Sequence, residues 1–280
     1  MNSMNLGSVI EKLAKQNEPV QQDDDYVKDG LLVCGQCHTP KECEVELLGV
    51  LRKVGCLCKC ESEKHKAEQE RLRQQQEAMR ISRLRTEGIQ DRSYRNWTFE
   101  NDDGSNPKQM DKAMRYCLRW NEMYQDNIGL LLWGDVGTGK TYFAACIANY
   151  LIDRGVPVLM TNFIRLANAL MTGFDEDRNA YITSLDNYRL LIIDDLGAER
   201  QSDYMLEQVY NIIDSRYKSR QPLIITTNLP LSEIKTPSEI KYSRIYSRIL
   251  EMCVPIKFEG TDRRKETSVS KLEKVKKLFE

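Results

Sequence analysis

The sequence predicts an α/β fold in which a mainly parallel sheet is flanked by helices. The first observation is a set of short apolar runs, which are typical of strands buried on both faces of a sheet. These runs cover residues 130–133, 156–160, 190–193, 223–227 and 254–258. The second observation is that longer amphipathic stretches lie between the runs, which indicates βαβ units. The third is a glycine-rich turn directly after the first run.

The composition limits what kind of protein this can be. The chain has 280 residues, with 41 Lys and Arg against 42 Asp and Glu, and a formal net charge of −1. This balance excludes a histone-like basic protein and an acidic disordered tail, but it allows local charged patches. No window has the length and apolarity of a signal peptide or a membrane span. We therefore expect a cytoplasmic protein without membrane contact, whose thiols stay reduced.

Residues 1–60 contain six of the nine cysteines and few apolar runs. Cys34 and Cys37 form one closely spaced pair, and Cys58 and Cys60 form another, as in many tetrahedral zinc sites. A bound metal would fold a segment that has too few apolar residues for a core of its own. The pattern predicts a zinc-binding module at residues 1–60 with these four cysteines as ligands.

Other ligands and other groups stay open for this cluster. Cys43, Cys56 and His38 are alternative zinc ligands, and an iron–sulfur cluster is an alternative to zinc. The run from Cys34 to His38 also matches the attachment pattern of a c-type haem. Haem attachment normally requires export, however, and it leaves the second cysteine pair unexplained.

Residues 61–95 predict a charged linker helix. Glu, Lys, Arg and Gln dominate this stretch, and it has no proline and no glycine before Gly88. Its sparse apolar residues suit a helix that is exposed on most sides. A coiled-coil dimer is the alternative, but the apolar spacing keeps no heptad for long. The α/β domain then occupies residues 96–280.

The glycine-rich turn matches the phosphate-binding loop pattern of Gly, four residues and Gly-Lys-Thr. Its backbone N–H groups can surround phosphate oxygens, Lys140 can reach the β- and γ-phosphates, and the Thr141 hydroxyl can coordinate Mg²⁺. An ordinary glycine-rich turn is the alternative, and the strand before it and helix after it argue against that. The predicted ATP-binding residues are Gly134, Asp135, Val136, Gly137, Thr138, Gly139, Lys140, Thr141 and Tyr142.

Two acids follow the apolar run at residues 190–193, which we expect beside the strand that leads into the phosphate loop. Asp194 is predicted to hold Mg²⁺ together with Thr141, and Asp195 to polarise the attacking water, with Glu199 as a weaker candidate. Asn228 follows the next run. It either senses the γ-phosphate or caps the turn that follows. Together with Lys140, these residues predict an ATPase.

These motifs together resemble the AAA+ helicase loaders of the DnaC and DnaI type. The resemblance is carried by the cysteine module, the phosphate loop and residues 96–102, 190–199, 226–228 and 244–248. It implies a Rossmann-like P-loop AAA+ ATPase core with a five-stranded parallel sheet and no helical lid. It also implies that Arg248, beside Arg244 on one basic helix face, is an arginine finger. Arg264, preferred over Arg263, would be a second sensor.

The resemblance implies a loader of a hexameric replicative DNA helicase onto single-stranded DNA in DNA replication. The zinc module would dock on the helicase, and the AAA+ domain would bind ATP, neighbouring copies of itself and single-stranded DNA, the last through residues 162–173. The acid pair is Asp-Asp rather than Asp-Glu, which predicts slow hydrolysis, stimulated by single-stranded DNA. Two alternatives stay open: an IstB-like ATPase helper of a DNA transposase, and a non-hydrolysing module that binds nucleic acid through zinc.

Overall fold

The computed structural model describes residues 21–47, 49–171, 175–197 and 203–262, and also residues 272, 275, 276 and 279. The chain divides into two compact units, Met1–Ala78 and Met79–Glu280. The boundary falls inside one long helix. Among the described residues, every helix is either too short or too polar to cross a membrane.

The first unit is built from two antiparallel hairpins followed by the start of the long helix. Its elements are β1 (Tyr26–Lys28), β2 (Leu31–Val33), β3 (Glu42–Leu47), β4 (Val50–Gly55) and α1 (Lys59–Gly88). β1 pairs with β2, and β3 pairs with β4. The buried apolar residues that the structure describes before α1 are few: Leu32, Val33, Cys34 and Cys58. Such a core is too small to fold the unit without further cross-links.

A buried ion pair is one such cross-link. Lys41 Nζ lies 2.8 Å from Asp25 Oδ2, and both side chains are at most 2% exposed. Lys41 Nζ also lies 3.5 Å from Glu61 Oε1, in the first turn of α1. The hydrogen bond from Lys41 is the main reason why the pKa of Asp25 is lowered to about 2. The carboxylate is therefore charged at neutral pH, and the pair joins three separate parts of the unit.

The second unit is an α/β domain with helices on both faces of a five-stranded sheet. Its strands are β5 (Gly129–Gly134), β6 (Val158–Asn162), β7 (Leu190–Leu196), β8 (Leu223–Thr227) and β9 (Cys253–Phe258). Its helices after α1 are α2 (Pro107–Leu118), α3 (Trp120–Gln125), α4 (Lys140–Ile152), α5 (Phe163–Met171), α6 (Asp175–Ser184), α7 (Asp203–Lys218), α8 (Leu231–Lys235) and α9 (Ile240–Met252). The α/β class and all five strands of the predicted sheet are confirmed.

The strands run parallel in the order β6-β7-β8-β5-β9. The expectation that β7 lies beside β5 is wrong, because β8 pairs with both and lies between them. In a parallel sheet all carboxyl ends lie at the same edge. The end of β8 is therefore placed between the phosphate loop after β5 and the acids at the end of β7.

Two apolar cores cover the two faces of the sheet. Successive strand residues point to opposite faces, so Leu191 and Ile193 join one core while Leu190 and Ile192 join the other. The first core is completed by α5, α7 and α9, and the second by α2 and α4. Because β7 is covered on both faces, its sequence is a continuous apolar run and not an alternating one.

The end of α1 is part of the second unit. Ile81 and Leu84 pack against the second core, and Ile89 is fully buried and forms a parallel bridge with Met160 of β6. Gly88 packs so closely on β6 that a β-carbon there would collide with the Val158 carbonyl. This packing explains why the second unit begins before residue 95. The domain boundaries at residues 60 and 95 themselves stay a prediction.

Arg216 on α7 provides a stability test of this domain. Its guanidinium is 1% exposed, and it donates to the backbone oxygens of Leu185, Tyr188 and Pro222 and to Gln221. Arg216→Met leaves these buried acceptors without their donor, so we expect the free energy of unfolding to fall by about 3–5 kcal/mol.

Urea unfolding of the full chain measures this loss. The matched control is Arg115→Met on α2, whose side chain is 74% exposed and pairs with Asp111 on the same helix. That change is expected to cost no more than about 0.5 kcal/mol. Equal midpoints for the Arg216 variant and the wild type would contradict the structural role of the buried guanidinium.

Candidate nucleotide-binding site and cysteine cluster

The predicted phosphate loop forms one wall of a cavity of about 270 Å³ at the carboxyl edge of the sheet. The cavity is lined by Trp97, Val136, Gly137, Thr138, Gly139, Lys140, Thr141, Tyr142, Asp194, Asp195, Thr226 and Asn228. Gly137 has a φ of 79°, and a β-carbon there would collide with Asp262, which follows β9. Only glycine therefore fits this point of the loop.

The ammonium group of Lys140 is surrounded by oxygen atoms of the phosphate loop and of Asn228. Lys140 Nζ donates to the carbonyl oxygens of Gly134 (2.8 Å) and Asp135 (2.7 Å) and to Asn228 Oδ1 (2.8 Å). The side chain is buried, and a buried charge is stable only where such oxygens compensate for lost water. The same ammonium group is suited to bind phosphate oxygens.

The two acids at the end of β7 are joined to the loop and to β8. Thr141 Oγ1 lies 3.0 Å from Asp194 Oδ1, and Asn228 Nδ2 donates to Asp195 Oδ1 at 3.0 Å. Burial raises the pKa of Asp194, while hydrogen bonds from Thr226 and Thr141 oppose that shift. The hydroxyl of Thr141 and the carboxylate of Asp194 form a close pair of oxygen ligands that suits a hard cation such as Mg²⁺.

Two residues of the cavity were not predicted as site residues. Trp97 lines the cavity and stacks on Tyr94 with ring centroids 4.4 Å apart, and Tyr142 lies 5.5 Å from Trp97. Thr226 touches both acids. The adjacent threonines at the end of β8 were the available signal for Thr226, whereas the approach of Trp97 depends on long-range packing.

The predicted arginine finger, Arg248, lies away from the cavity of its own chain. Arg248 lies on α9 and pairs with Asp214 Oδ1 of α7 at 2.7 Å, and its guanidinium packs over the rings of Tyr210 and Tyr217. It does not line the cavity of its own chain. Its role as an arginine finger toward a neighbouring copy stays a prediction. Arg263, Arg264 and Glu199 lie outside the described residues.

The first unit brings together the sulfur atoms of Cys34, Cys37, Cys58 and Cys60, which all lie within 4.8 Å of one another. Cys60 Sγ is 3.5 Å from Cys34 Sγ, 3.3 Å from Cys58 Sγ and 3.6 Å from Cys37 Sγ. Tetrahedral zinc with Zn–S bonds of about 2.3 Å places its sulfur ligands about 3.8 Å apart. The cluster therefore has the dimensions of a four-thiolate zinc site.

The alternative ligands have other contacts. Cys56 Sγ lies 3.6 Å from the Pro40 carbonyl oxygen, and His38 Nδ1 lies 3.3 Å from the Tyr26 hydroxyl. Cys43 belongs to β3 and is not a member of the sulfur cluster. The geometry thus favours the four cysteines over these alternatives.

Thr39 stabilises the thiolate form of one of these cysteines. Its hydroxyl lies 3.0 Å from Cys37 Sγ and accepts a hydrogen bond from the backbone N–H of Lys59. The contact with Thr39 is the largest cause that lowers the pKa of Cys37, to about 5. Because the thiolate is the form that binds metal, this cysteine needs little further activation at neutral pH.

Comparison with known families identifies the family of the chain. The family model described as IstB-like ATP binding protein matches residues 48–270, well over half of the chain. The chain therefore belongs to this family of ATP-binding proteins.

Two individual relatives are 27% and 28% identical to this chain over the matched residues. The replicative helicase loader DnaI of Bacillus subtilis (strain 168) is 27% identical over 184 residues, which is 60% of this chain and 58% of DnaI. The replicative helicase loader DnaC of Escherichia coli (strain K12) is 28% identical over 145 residues, which is 50% of this chain and 59% of DnaC. The chain thus matches less than two thirds of either relative.

A solved structure of a proposed primosome component from Streptococcus pyogenes serotype M3 has a similar fold. Its TM-score to this chain is 0.53 at 24% identity, and the match covers 65% of this chain and 96% of that chain. This likeness supports the α/β fold of the chain.

Gly137→Ala tests the shape of the phosphate loop. We expect the affinity for ATP to fall at least about tenfold, because the new methyl group meets Asp262 and the left-handed backbone strains any other residue. Gly104→Ala is the matched control, since Gly104 has a similar φ of 72° but no atom of the described residues lies within 4 Å of the added carbon. Calorimetric titration with a non-hydrolysable ATP analogue measures both. Equal affinities in the two variants would show that Asp262 does not restrict the loop.

Proposed function

We propose that this IstB-like ATP-binding protein is an ATP-dependent loader that places a hexameric replicative DNA helicase on single-stranded DNA during DNA replication. The observation that carries the proposal is the connection from Lys140 through Asn228 to Asp195, with both bonds at 2.8–3.0 Å. A group that touches the phosphate-binding lysine and the second acid can report whether a γ-phosphate is present. The relatives named replicative helicase loaders supply the class of partner.

ATP fits the cavity through the chemistry of its donors. The loop N–H groups and the α4 N-terminus would surround the phosphates, and Lys140 would exchange its carbonyl partners for β- and γ-phosphate oxygens. Thr141 and Asp194 would hold Mg²⁺, which neutralises phosphate charge when it is bound. Asp195 is exposed beside these groups and would orient the attacking water, so the protein would act as a slow ATPase.

Arg248 gives the proposed loader a way to link neighbouring copies. Its guanidinium is 25% exposed and is held by Asp214, so it is partly accessible on the α9 face with Arg244. In an assembly it would leave Asp214 for the γ-phosphate of the adjacent copy, where positive charge stabilises the transition state. Arg264 would contact the phosphates of the ATP that is bound to its own chain.

The first unit would bind Zn²⁺ and dock on the helicase. The spacing of the four sulfur atoms suits a tetrahedral zinc ion, and a bound metal would stabilise a unit whose described apolar core is small. We place the contacts with single-stranded DNA in residues 162–173, where Arg165 is exposed on α5, and the whole protein in the cytoplasm.

Purification of the protein from its native cell, followed by mass spectrometry of bound proteins, tests the partner. A replicative helicase retained in the presence of ATP supports the loader. A transposase in its place supports the IstB-like helper, and the absence of ATP turnover with and without DNA supports a non-hydrolysing module.

Lys140→Ala tests the nucleotide switch. We expect ATP hydrolysis and helicase loading to fall below detection, because the phosphates lose their buried ammonium partner. Lys112→Ala, an exposed lysine on α2, is the control and should retain both activities. Radiolabelled ATP turnover and helicase unwinding of a DNA fork measure the two steps. If the Lys140 variant hydrolyses ATP and loads helicase like the wild type, the mechanism is wrong.

Metal analysis tests the zinc module. The full chain should contain about one zinc ion per molecule, and Cys58→Ser should lower the zinc content to less than half, because a neutral hydroxyl replaces one thiolate. The Cys58 variant should also bind less helicase while it retains its affinity for ATP. Cys43→Ser is the matched control from the same unit. A loss of zinc in Cys43→Ser but not in Cys58→Ser would show that the proposed set of four cysteine ligands is wrong.

A further inference from the structure

The two acids at the end of β7 lie in a β-bulge. Ile193 pairs with Ile225 of β8 and Leu196 pairs with Thr227, so β7 contains one residue more than β8 in this interval. Asp194 and Asp195 together therefore lie opposite Thr226. Asp195 has a φ of 64°, which is the left-handed region that a non-glycine residue rarely adopts. Such a backbone persists only where surrounding contacts hold it.

The side chain of Thr226 supplies these contacts. Its hydroxyl accepts a hydrogen bond from the backbone N–H of Asp195 at 2.8 Å and donates to Asp194 Oδ1 at 2.6 Å. These directions follow from the groups, because an amide N–H only donates and an ionised carboxylate only accepts. Thr226 is 2% exposed, so water has little access to replace the hydroxyl.

The same carboxylate oxygen faces the phosphate loop. Asp194 Oδ1 also lies 3.0 Å from Thr141 Oγ1, and Asn228, two residues after Thr226, bonds to Asp195 and to Lys140. Thr226 thus fixes the acid that faces Thr141, and the amide that faces the lysine lies just after the same strand.

We propose that Thr226 is a positioning residue for ATP hydrolysis. Its hydroxyl stabilises the bulge and fixes the Asp194 carboxylate and the Asp195 backbone in the orientations that Mg²⁺ binding and water activation require. This inference rests on the proposed ATPase function. Thr226 acts through the two acids: its hydroxyl bonds to Asp194 and Asp195, and its effect on nucleotide is expected through Mg²⁺ and the attacking water.

Thr227 provides a matched comparison for this role. It is also a fully buried threonine of β8, and its hydroxyl donates to the Leu196 carbonyl oxygen at 2.7 Å and accepts from the Leu229 N–H at 3.0 Å. Neither partner is an acid. A variant at Thr227 therefore removes an equally buried hydroxyl without releasing the acids.

The experiment uses the full chain with Thr226→Val, Thr226→Ser and Thr227→Val. Thr226→Val keeps the shape of the side chain and removes the hydroxyl. We expect kcat to fall about 10–100-fold while KM for ATP changes less than about threefold, and Mg²⁺ for half-maximal ATP binding to rise about tenfold. Thr226→Ser retains the hydroxyl and should recover kcat to within about threefold of the wild type. Thr227→Val should also remain within about threefold.

Several results would overturn the inference. One is a Thr226→Val protein with wild-type kcat and Mg²⁺ dependence, and another is an equal loss of kcat in Thr227→Val, which would mean a structural role only. If Thr226→Val does not fold, as judged by circular dichroism, Thr226→Ala is measured in its place with the same expected losses. If the wild type itself shows no turnover, the proposed hydrolysis fails, while the Mg²⁺ dependence of ATP binding still decides the role of Thr226.

Discussion

The buried ammonium group of Lys140 is the constraint from which the arrangement of the site follows. A charge that has left water needs oxygen atoms at hydrogen-bond distance, and the chain provides them from the phosphate loop and from Asn228. This requirement ties the loop after β5 to the end of β8. Asn228 in turn bonds to Asp195, so the position of one lysine is linked to that of an acid at the end of β7.

The strand order explains why this link runs through the end of β8. Because β8 lies between β5 and β7, its end joins the phosphate loop to the acids, in addition to the direct contact of Thr141 with Asp194. Thr226 and Asn228 lie there, one bonded to the acids and the other to the lysine and Asp195. A nucleotide that draws Lys140 toward its phosphates would therefore also change the contacts of Asn228. The geometry suits a protein whose nucleotide state is communicated to partners.

The sequence could predict the features that depend on local pattern, and it missed those that depend on pairing. Continuous apolar runs predicted all five strands, and short cysteine spacings predicted the four sulfur atoms that the fold brings together. The bulge in β7 depends on the register with β8, which no local pattern contains. The close packing of Gly88 on Val158, which lies far away in the chain, likewise depends on tertiary contacts and not on a local pattern.

The bulge also determines which face of the sheet the last residues of β7 point to. In a regular strand every second residue points to the same face, so Leu191 and Ile193 would be followed there by position 195. The extra residue shifts this count, and Leu196 enters the first core with 2% exposure while Asp195 stays exposed. The extra residue therefore lets both acids lie at the carboxyl edge of the sheet while Leu196 still enters the apolar core. A strand of the same residues without the bulge would direct the Asp195 carboxylate into that core.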